Sequence, residues 1–308
     1  MTKKVDFKNV VTLKKALEQA EKGGYAIGSF AARYTDMIPA ILRAGERTRS
    51  PIIVQISQKE LNRYHITPAE FGEKFYKSLE EEETTVPVVL HLDHTKDLEV
   101  IKEAIEAGFT SVMIDASEHP LEQNIAISKE AAAYAHSKGV SVEAELGQIG
   151  TTDFVETDKD EELYTDPEEA LTFVNETQAD ALAVSVGTAH GVYMTRQPKV
   201  DLERLRAIRK LTSVHLVLHG GSGVPAEMMQ GAMKLEGGGI SKVNIATDLE
   251  LSLLKELNRE ERMTNQECKA LSAEEKNRAQ GAVEETVIDK IENFLHSAQQ
   301  AEKFSYKS

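Results

Sequence analysis

TSVMIDASEHPLEQNIAISKEAAAYAHSKGVSVEAEL, residues 110–146, decides the fold. Its ends, TSVMIDA (110–116) and VSVEAEL (140–146), are short apolar runs. Between them LEQNIAISKEAAAYAHSKG (121–139) places apolar residues at spacings of three and four, the period of a helix with one buried face. Gly139 stands where a helix C-cap belongs. Strand, helix, strand is the unit of a parallel sheet, whose strands need a crossover connection.

Outward from this unit the same alternation repeats. YAIGSFA (25–31), PIIVQIS (51–57), VPVVLHL (86–92), ADALAVSV (179–186), VHLVLHG (214–220) and ISKVNIA (240–246) complete a set of eight apolar runs. Most are continuously apolar, as strands buried on both faces should be. DMIPAILRAGERT (36–48), LEVIKEAIEAG (98–108), PEEALTFVNET (167–177), DLERLRAIRKL (201–211) and PAEMMQGAMKL (225–235) carry the helical period. Asp166-Pro167 offers an N-cap followed by proline at the first helical position. Successive βα units predict an α/β fold, a (β/α)8 TIM barrel, with a doubly wound open sheet as the alternative. Residues 11–22 read as an extra N-terminal helix, and 272–303 as a long polar helix within a C-terminal helical extension, 271–308. No linker divides the chain, so residues 1–308 are expected to form one barrel domain.

Composition narrows the function. Among 308 residues, 36 Lys+Arg against 51 Asp+Glu give a net charge of −15. A strongly acidic chain without a basic stripe argues against nucleic acid and anionic membranes as partners. Any anionic ligand must then be held locally, by a metal, helix N-termini or backbone N–H groups. The single cysteine, Cys268, excludes an internal disulfide and suits a reducing, cytoplasmic setting. No run approaches the roughly 18 apolar residues of a membrane span, and MTKKVDFKNV (1–10) lacks the apolar core of a signal peptide.

Barrel chemistry lies at the C-terminal ends of the strands. There the sequence gathers His91-Leu92-Asp93-His94, Asp115, Glu143-Ala144-Glu145, His190, His219-Gly220-Gly221-Ser222-Gly223 and Asn244-Ile245-Ala246-Thr247-Asp248. Independent strand ends rarely share residue types by accident, so the rim histidines read as ligands. His65, His119, His136, His215 and His296, which fall elsewhere, read as structural or surface residues. Three neutral imidazoles from three strands suit a catalytic zinc ion with one position left open, and such an ion polarises a carbonyl. The HGGSG segment (219–223) brings backbone N–H groups toward an anion. The one long irregular stretch, GQIGTTDFVETDKDEELYTD (147–166), follows the fifth strand and so falls on the same face.

VVLHLDH (88–94), SVMIDAS (111–117), VEAELGQIG (142–150), DALAVSVGTAHGVY (180–193), LVLHGGSGVP (216–225) and KVNIATDL (242–249), in this order, resemble the class II metal-dependent aldolases. That family includes fructose-1,6-bisphosphate and tagatose-1,6-bisphosphate aldolases. The resemblance covers roughly residues 10–255. It implies a lyase with one zinc ion held by His94, His190 and His219, with Glu145 and Asp115 as alternative metal ligands or support. It implies Asp93 as the acid/base on the carbon 4 hydroxyl of a ketose 1-phosphate. Gly191, Gly220, Gly221, Ser222, Asn244 and Thr247 match the cradle for the 1-phosphate, and carbonyls near Gly191, Gly220 and Ser222 would surround a monovalent cation, Na+ or K+. The implied reaction is retro-aldol cleavage to dihydroxyacetone phosphate and an aldehyde, with a carboxylic acid on the loop after strand five protonating the enediolate. Asp153 is the nearest match to that acid, with Glu156 next. Relatives are homodimers or homotetramers.

Departures from the family cluster at the distal end of the substrate. Fructose enzymes read Asn-x-Asp-Thr-Asp at strand eight, where this chain has Ala246, as in the tagatose type. Two residues beyond that motif the fructose enzymes carry Arg and the tagatose enzymes Lys, where this chain has Glu250. Phe-Asn-x-Asn becomes Phe30-Ala31-Ala32-Arg33, and a lysine common after HGxY becomes Met194. These changes suggest, as alternatives to the ordinary bisphosphates, a ketose 1-phosphate with another distal group held by Arg33, such as 6-sulfofructose 1-phosphate giving sulfolactaldehyde, or an uncharged end. A non-catalytic sugar-phosphate-binding barrel and a non-aldolase lyase on the same site are further alternatives. Arg33 and Glu250 could also simply pair with each other, or Arg33 with Asp36.

Overall fold

The computed structural model describes residues 7–149, 163–191 and 198–304. Eight parallel strands close into a barrel in chain order. They are β1 (Ile27–Ala31), β2 (Ile52–Ser57), β3 (Val88–Thr95), β4 (Ser111–Ile114), β5 (Ser141–Leu146), β6 (Ala181–Val184), β7 (His215–Leu218) and β8 (Ile240–Ile245). Closure comes from β1 pairing with β8, Ile27 opposite Lys242 and Ser29 opposite Asn244. The expected barrel is present, and the open-sheet alternative is excluded.

Helices cover the outside. They are α1 (Leu13–Gly23), α2 (Ile38–Thr48), α3 (Gln58–Tyr64), α4 (Pro68–Glu81), α5 (Leu98–Glu106), α6 (Leu121–Ser137), α7 (Pro167–Thr177), α8 (Leu202–Leu211), α9 (Ala226–Met233), α10 (Thr247–Glu256), α11 (Asn265–Lys269) and α12 (Ala273–Asp289). Asp166 caps α7 by accepting from the backbone N–H groups of Glu168 and Glu169, with Pro167 at the first position. The outward strand residues, such as Leu90, Leu92, Val142 and Val243, pack against the helices in one continuous core. The inward residues Ile27, Ile53, Val89, Met113, Ala181, Ala183 and Val217 form a second cluster with Leu13, Ala16, Leu17 and Ala20 of α1. Thus α1 buries its apolar stripe across the N-terminal mouth. Higher in the barrel the inward positions turn polar, which directs ligands to the other end.

Helices α3, α4, α10 and α11 were not expected. Three carry local cap signals: a capping box between Ser57 and Glu60 starts α3, Thr67 followed by Pro68 starts α4, and a capping box between Thr264 and Glu267 starts α11, whereas α10 starts with no side-chain cap. The expected continuous helix over 272–303 is broken. A π-helical turn over Lys290–Leu295 follows α12 and ends at His296 in a left-handed conformation, φ 54°. Tertiary bonds cause the break. Gln299 N–H donates to Thr48 O at 2.9 Å and Ala301 N–H to Arg49 O at 3.0 Å, folding the tail onto the end of α2.

Candidate active site

The site begins with an irregularity in β3. His91 pairs with Ser111 and Leu92 with Val112, but the next pair is Thr95 with Ile114. Asp93 and His94 therefore oppose Met113 alone, a β-bulge. Strict alternation puts Val89, His91 and Asp93 inward and would turn His94 toward the helices. Alternation alone would thus separate Asp93 and His94 onto opposite sides of the strand, and the bulge overrides it. His94 adopts φ 31°, and its backbone N–H points to Met113 Sδ at 3.3 Å. Both side chains reach the rim. A left-handed non-glycine residue costs about 1–3 kcal/mol and persists only where its surroundings demand it.

Three imidazoles meet above this bulge. Ring centroids are 5.0 Å apart for His94–His190, 4.5 Å for His94–His219 and 5.8 Å for His190–His219, with near-perpendicular planes. One ring nitrogen from each lies within 4.8 Å of the others. His94 Nδ1–H donates to Asp115 Oδ2 at 2.8 Å, and His219 Nε2–H donates to Glu143 Oε1 at 2.8 Å. These bonds leave His94 Nε2 and His219 Nδ1 facing each other 2.7 Å apart. A proton on His94 Nε2 bridges this gap as a hydrogen bond to the His219 Nδ1 lone pair, and a metal ion would take that proton's place. The donor set fits a divalent ion such as zinc, bound by neutral imidazoles whose remote nitrogens are held by carboxylates.

The charges agree. Burial opposes a charge on His94, but Asp93, Asp115 and Glu145 outweigh it and push its pKa up to about 10. His190 is pushed down to about 3 by burial and by His94 and His219. Burial, reinforced by Asp115, pushes Glu145 up to about 8. One positive charge at the centre of the cluster relieves the carboxylates around it. Glu145 Oε2 lies 3.8 Å from His94 Nδ1, and Ser117 Oγ bridges Asp115 and Glu145. His94, Asp115 and Glu145 form a second group with ligand geometry.

Asp93 is buried, and Gln55 Nε2 and Asn244 Nδ2 donate to its two oxygens at 3.2 and 2.9 Å. Burial raises its pKa, but His94, His91, His219 and Lys242 outweigh this and hold it well below the usual carboxylate range. Ionised, Asp93 has the form a general base requires, although the pKa best matched to that task lies nearer neutrality than these neighbours set it.

The glycine-rich segment lies beside the histidines. Gly220 has φ 68°, and a side chain there would collide with the Ala189 carbonyl. Only glycine lets the backbone after β7 pass so close to the segment that carries His190. Gly221 N–H donates to Asn244 O at 3.1 Å, and Ser222 Oγ accepts from Asp248 N–H at 3.4 Å. Thr247 opens α10, and Gly191 follows His190 with φ 113°. These residues border the histidine cluster.

Arg33 belongs to a neighbouring cluster. Its Nε donates to Glu60 Oε1 at 2.7 Å and its Nη1 to Glu250. Glu250 is buried and also meets Arg262 Nε at 2.9 Å and the hydroxyls of Tyr34 and Tyr64 at 3.2 and 3.4 Å. Asp36 pairs with Lys74 and Lys276 rather than with Arg33. Asp153, Glu156 and Met194 lie outside the described residues. The ends of the long loop are joined at its base, where Gln148 N–H donates to Leu163 O at 2.8 Å. Away from the rim, His136 pairs with Asp180 at the surface and His215 with Glu21 in a partly buried pair.

A family model described as "Fructose-bisphosphate aldolase class-II" matches residues 11–300. The chain belongs to this family. A fructose-bisphosphate aldolase from Geobacillus stearothermophilus is 41% identical, over 80% of this chain and 84% of that protein. One from Helicobacter pylori is 38% identical, over 78% and 84%. The crystal structure of the YdjI aldolase from Escherichia coli superposes with a TM-score of 0.77 at 29% identity, covering 95% of this chain and 99% of that one. No described helix is long and apolar enough to cross a membrane.

Sequence reading placed His91 and Glu143 at the strand ends without a role for either, and missed the rest of the layer beneath the rim. Ser29, Gln55, His91, Ser111, Glu143 and Lys242 are all buried inside the barrel. Lys242 is fully buried and 2.8 Å from Glu143. The signal was a lysine at an inward position of a parallel strand, where a charge is rarely buried unpaired.

Proposed function

We propose that the protein is a divalent-metal-dependent aldolase that cleaves a ketose 1-phosphate, of the fructose or tagatose 1,6-bisphosphate type, to dihydroxyacetone phosphate and an aldehyde. The observation that carries this reading is the meeting of ring nitrogens from three imidazoles, two of them oriented by Asp115 and Glu143, beside an ionised Asp93. His94, His190 and His219 would hold the ion, which when bound polarises the ketose carbonyl as a Lewis acid. Asp115 and Glu145 support it or offer an alternative position.

Asp93 takes the carbon 4 hydroxyl proton. The carbon 3–carbon 4 electron pair moves toward the carbonyl and the aldehyde leaves. Gly191, Gly220, Gly221, Ser222, Asn244 and Thr247 hold the 1-phosphate with backbone N–H groups and hydroxyls, consistent with an acidic chain that binds anions only locally. Carbonyls near Gly191, Gly220 and Ser222 suit Na+ or K+. Residues 1–308 act as one barrel domain, in the cytoplasm, as a homodimer or homotetramer.

Asp153 or Glu156, in its acid form, delivers a proton to carbon 3 of the enediolate, and Asp93 releases the hydroxyl proton to solvent. Hydrogen exchange at carbon 3 of dihydroxyacetone phosphate should slow in Asp153→Ala or Glu156→Ala, read by loss of label to solvent. Unchanged exchange in both variants and in the double variant would reject the assignment.

A second reading concerns the distal end. Glu250 stands where the family carries a phosphate-binding cation, and it is engaged with Arg33 and Arg262. Arg33 and Arg262 meet two carboxylates, Glu60 and Glu250, so the cluster has no surplus cation for a 6-phosphate dianion, and a singly charged sulfonate or carboxylate asks less of its guanidiniums. Loss of one charged hydrogen bond is worth about 1.5–3 kcal/mol. Catalytic efficiency on fructose 1,6-bisphosphate is therefore expected to fall roughly tenfold to a hundredfold below that on 6-sulfofructose 1-phosphate, and Arg33→Ala should erase the difference. If fructose 1,6-bisphosphate turns over best and Arg33→Ala changes nothing, the substrate is the ordinary bisphosphate.

A further inference from the structure

We propose that Lys242 is the positioning residue that joins metal binding to proton transfer, holding Glu143 against His219 with one arm and Asn244 against Asp93 with the other. The inference rests on the proposed aldolase reading and adds to it a residue that neither binds metal nor touches substrate.

Lys242 lies on β8, two residues before Asn244, with its side chain fully buried in the barrel. Its Nζ is 2.8 Å from Glu143 Oε2 and donates to Asn244 Oδ1 at 2.6 Å. Each contact has a downstream partner. Glu143 Oε1 accepts from His219 Nε2 at 2.8 Å. That bond leaves His219 Nδ1 as the free lone pair facing His94. Asn244 Nδ2 donates to Asp93 Oδ1 at 2.9 Å. The ammonium fixes the sense of this second arm, because an ammonium only donates. It accepts Asn244 Oδ1 as a partner and repels the amide NH2, so the NH2 must turn toward Asp93.

A buried ion pair is costly to desolvate and is weak evidence for stability. Here the pair has a geometric consequence at both ends. Without the ammonium, Glu143 faces His219 with no counter-charge, and Asn244 is free to rotate its amide. The first change reaches the metal ligand and the second reaches the acid/base. Outer partners of this kind are worth roughly 10–100-fold in metal affinity or activity.

Three variants test this: Lys242→Met, Glu143→Gln and the double variant. Zinc affinity is measured on apo protein by competition with a chromophoric chelator, and kcat and KM are measured at saturating zinc. Lys242→Met is expected to weaken zinc by about 10–100-fold and to lower kcat by at least about tenfold, with KM little changed. Glu143→Gln should weaken zinc similarly but spare more of kcat, because the Asn244 arm remains. The double variant should bind zinc no more weakly than the worse single variant, the signature of one shared arm. It carries no unpaired buried charge, so it remains informative if Lys242→Met fails to fold. Wild-type zinc affinity and kcat in the folded variants, or losses in zinc affinity that simply add, would overturn the proposal. A wild-type protein that takes up no zinc would instead overturn the aldolase reading itself.

Discussion

Chelation of the purified protein is expected to abolish aldol cleavage, and added zinc to restore it. The expectation follows from His94, His190 and His219, whose ring nitrogens converge within 4.8 Å. With His94 Nε2 and His219 Nδ1 facing at 2.7 Å, the cluster needs a positive charge between them, a proton or a metal ion. The effect should also be visible without substrate. An ion that binds only the folded chain stabilises it by about 4 kcal/mol at roughly 1,000 times its dissociation constant. Chelation should thus lower the melting temperature by several degrees. Replacing one ligand separates the contributions. His219→Ala should lose metal and activity together. It should also cost a further 1–3 kcal/mol, roughly, in the metal-free protein, because Glu143 loses a buried donor. Full turnover by metal-free protein would remove the basis of the proposed mechanism.

Much of the fold was legible because strands and helices announce themselves by period. The run at 140–146 became β5 (Ser141–Leu146) and that at 240–246 became β8 (Ile240–Ile245). The run at 86–92 stopped short of β3, which continues to Thr95. Hydropathy ended it at Asp93 because that residue and His94 are polar, yet both remain in the strand as its contribution to the rim. The C-terminal tail escaped for the opposite reason. Nothing local ends the polar pattern after residue 289. The chain turns because its backbone finds partners at Thr48 and Arg49, some 250 residues earlier.

The chemical residues divide in the same way. His94, His190 and His219 were legible because three strand ends ended alike. The bulge that turns His94 inward was not, since alternation alone predicts the opposite side. Glu250 stood out as a carboxylate in a cation's place, but its pairing with Arg33 spans 217 residues and has no local signature. Lys242 was hidden within an apolar strand. Its meaning depends on Glu143 from β5 and Asn244 from its own strand being brought to one point by closure of the barrel.

Asp93→Ala is expected to retain the metal and lose cleavage by about 10²–10⁴-fold, the range for a general acid/base. The metal should stay because His94 and His219 keep the carboxylates that orient them, Asp115 and Glu143. Cleavage should fail because Asp93 is a buried carboxylate kept ionised at the rim, with Gln55 and Asn244 each occupying one oxygen, whereas Glu143, also ionised, is taken up by His219 and Lys242. Glu145 is a poor substitute, since burial and Asp115 push its pKa up to about 8. The loss should fall on kcat more than on KM, because the 1-phosphate cradle on the loops after β6, β7 and β8 is untouched. Asp93→Asn sharpens the comparison. It preserves shape and removes the base, and it leaves the Asn244 amide facing a neutral partner. If that variant cleaves at the wild-type rate with its metal bound, the proton goes to another group. The bonds from Gln55 and Asn244 would then serve only to hold the bulge.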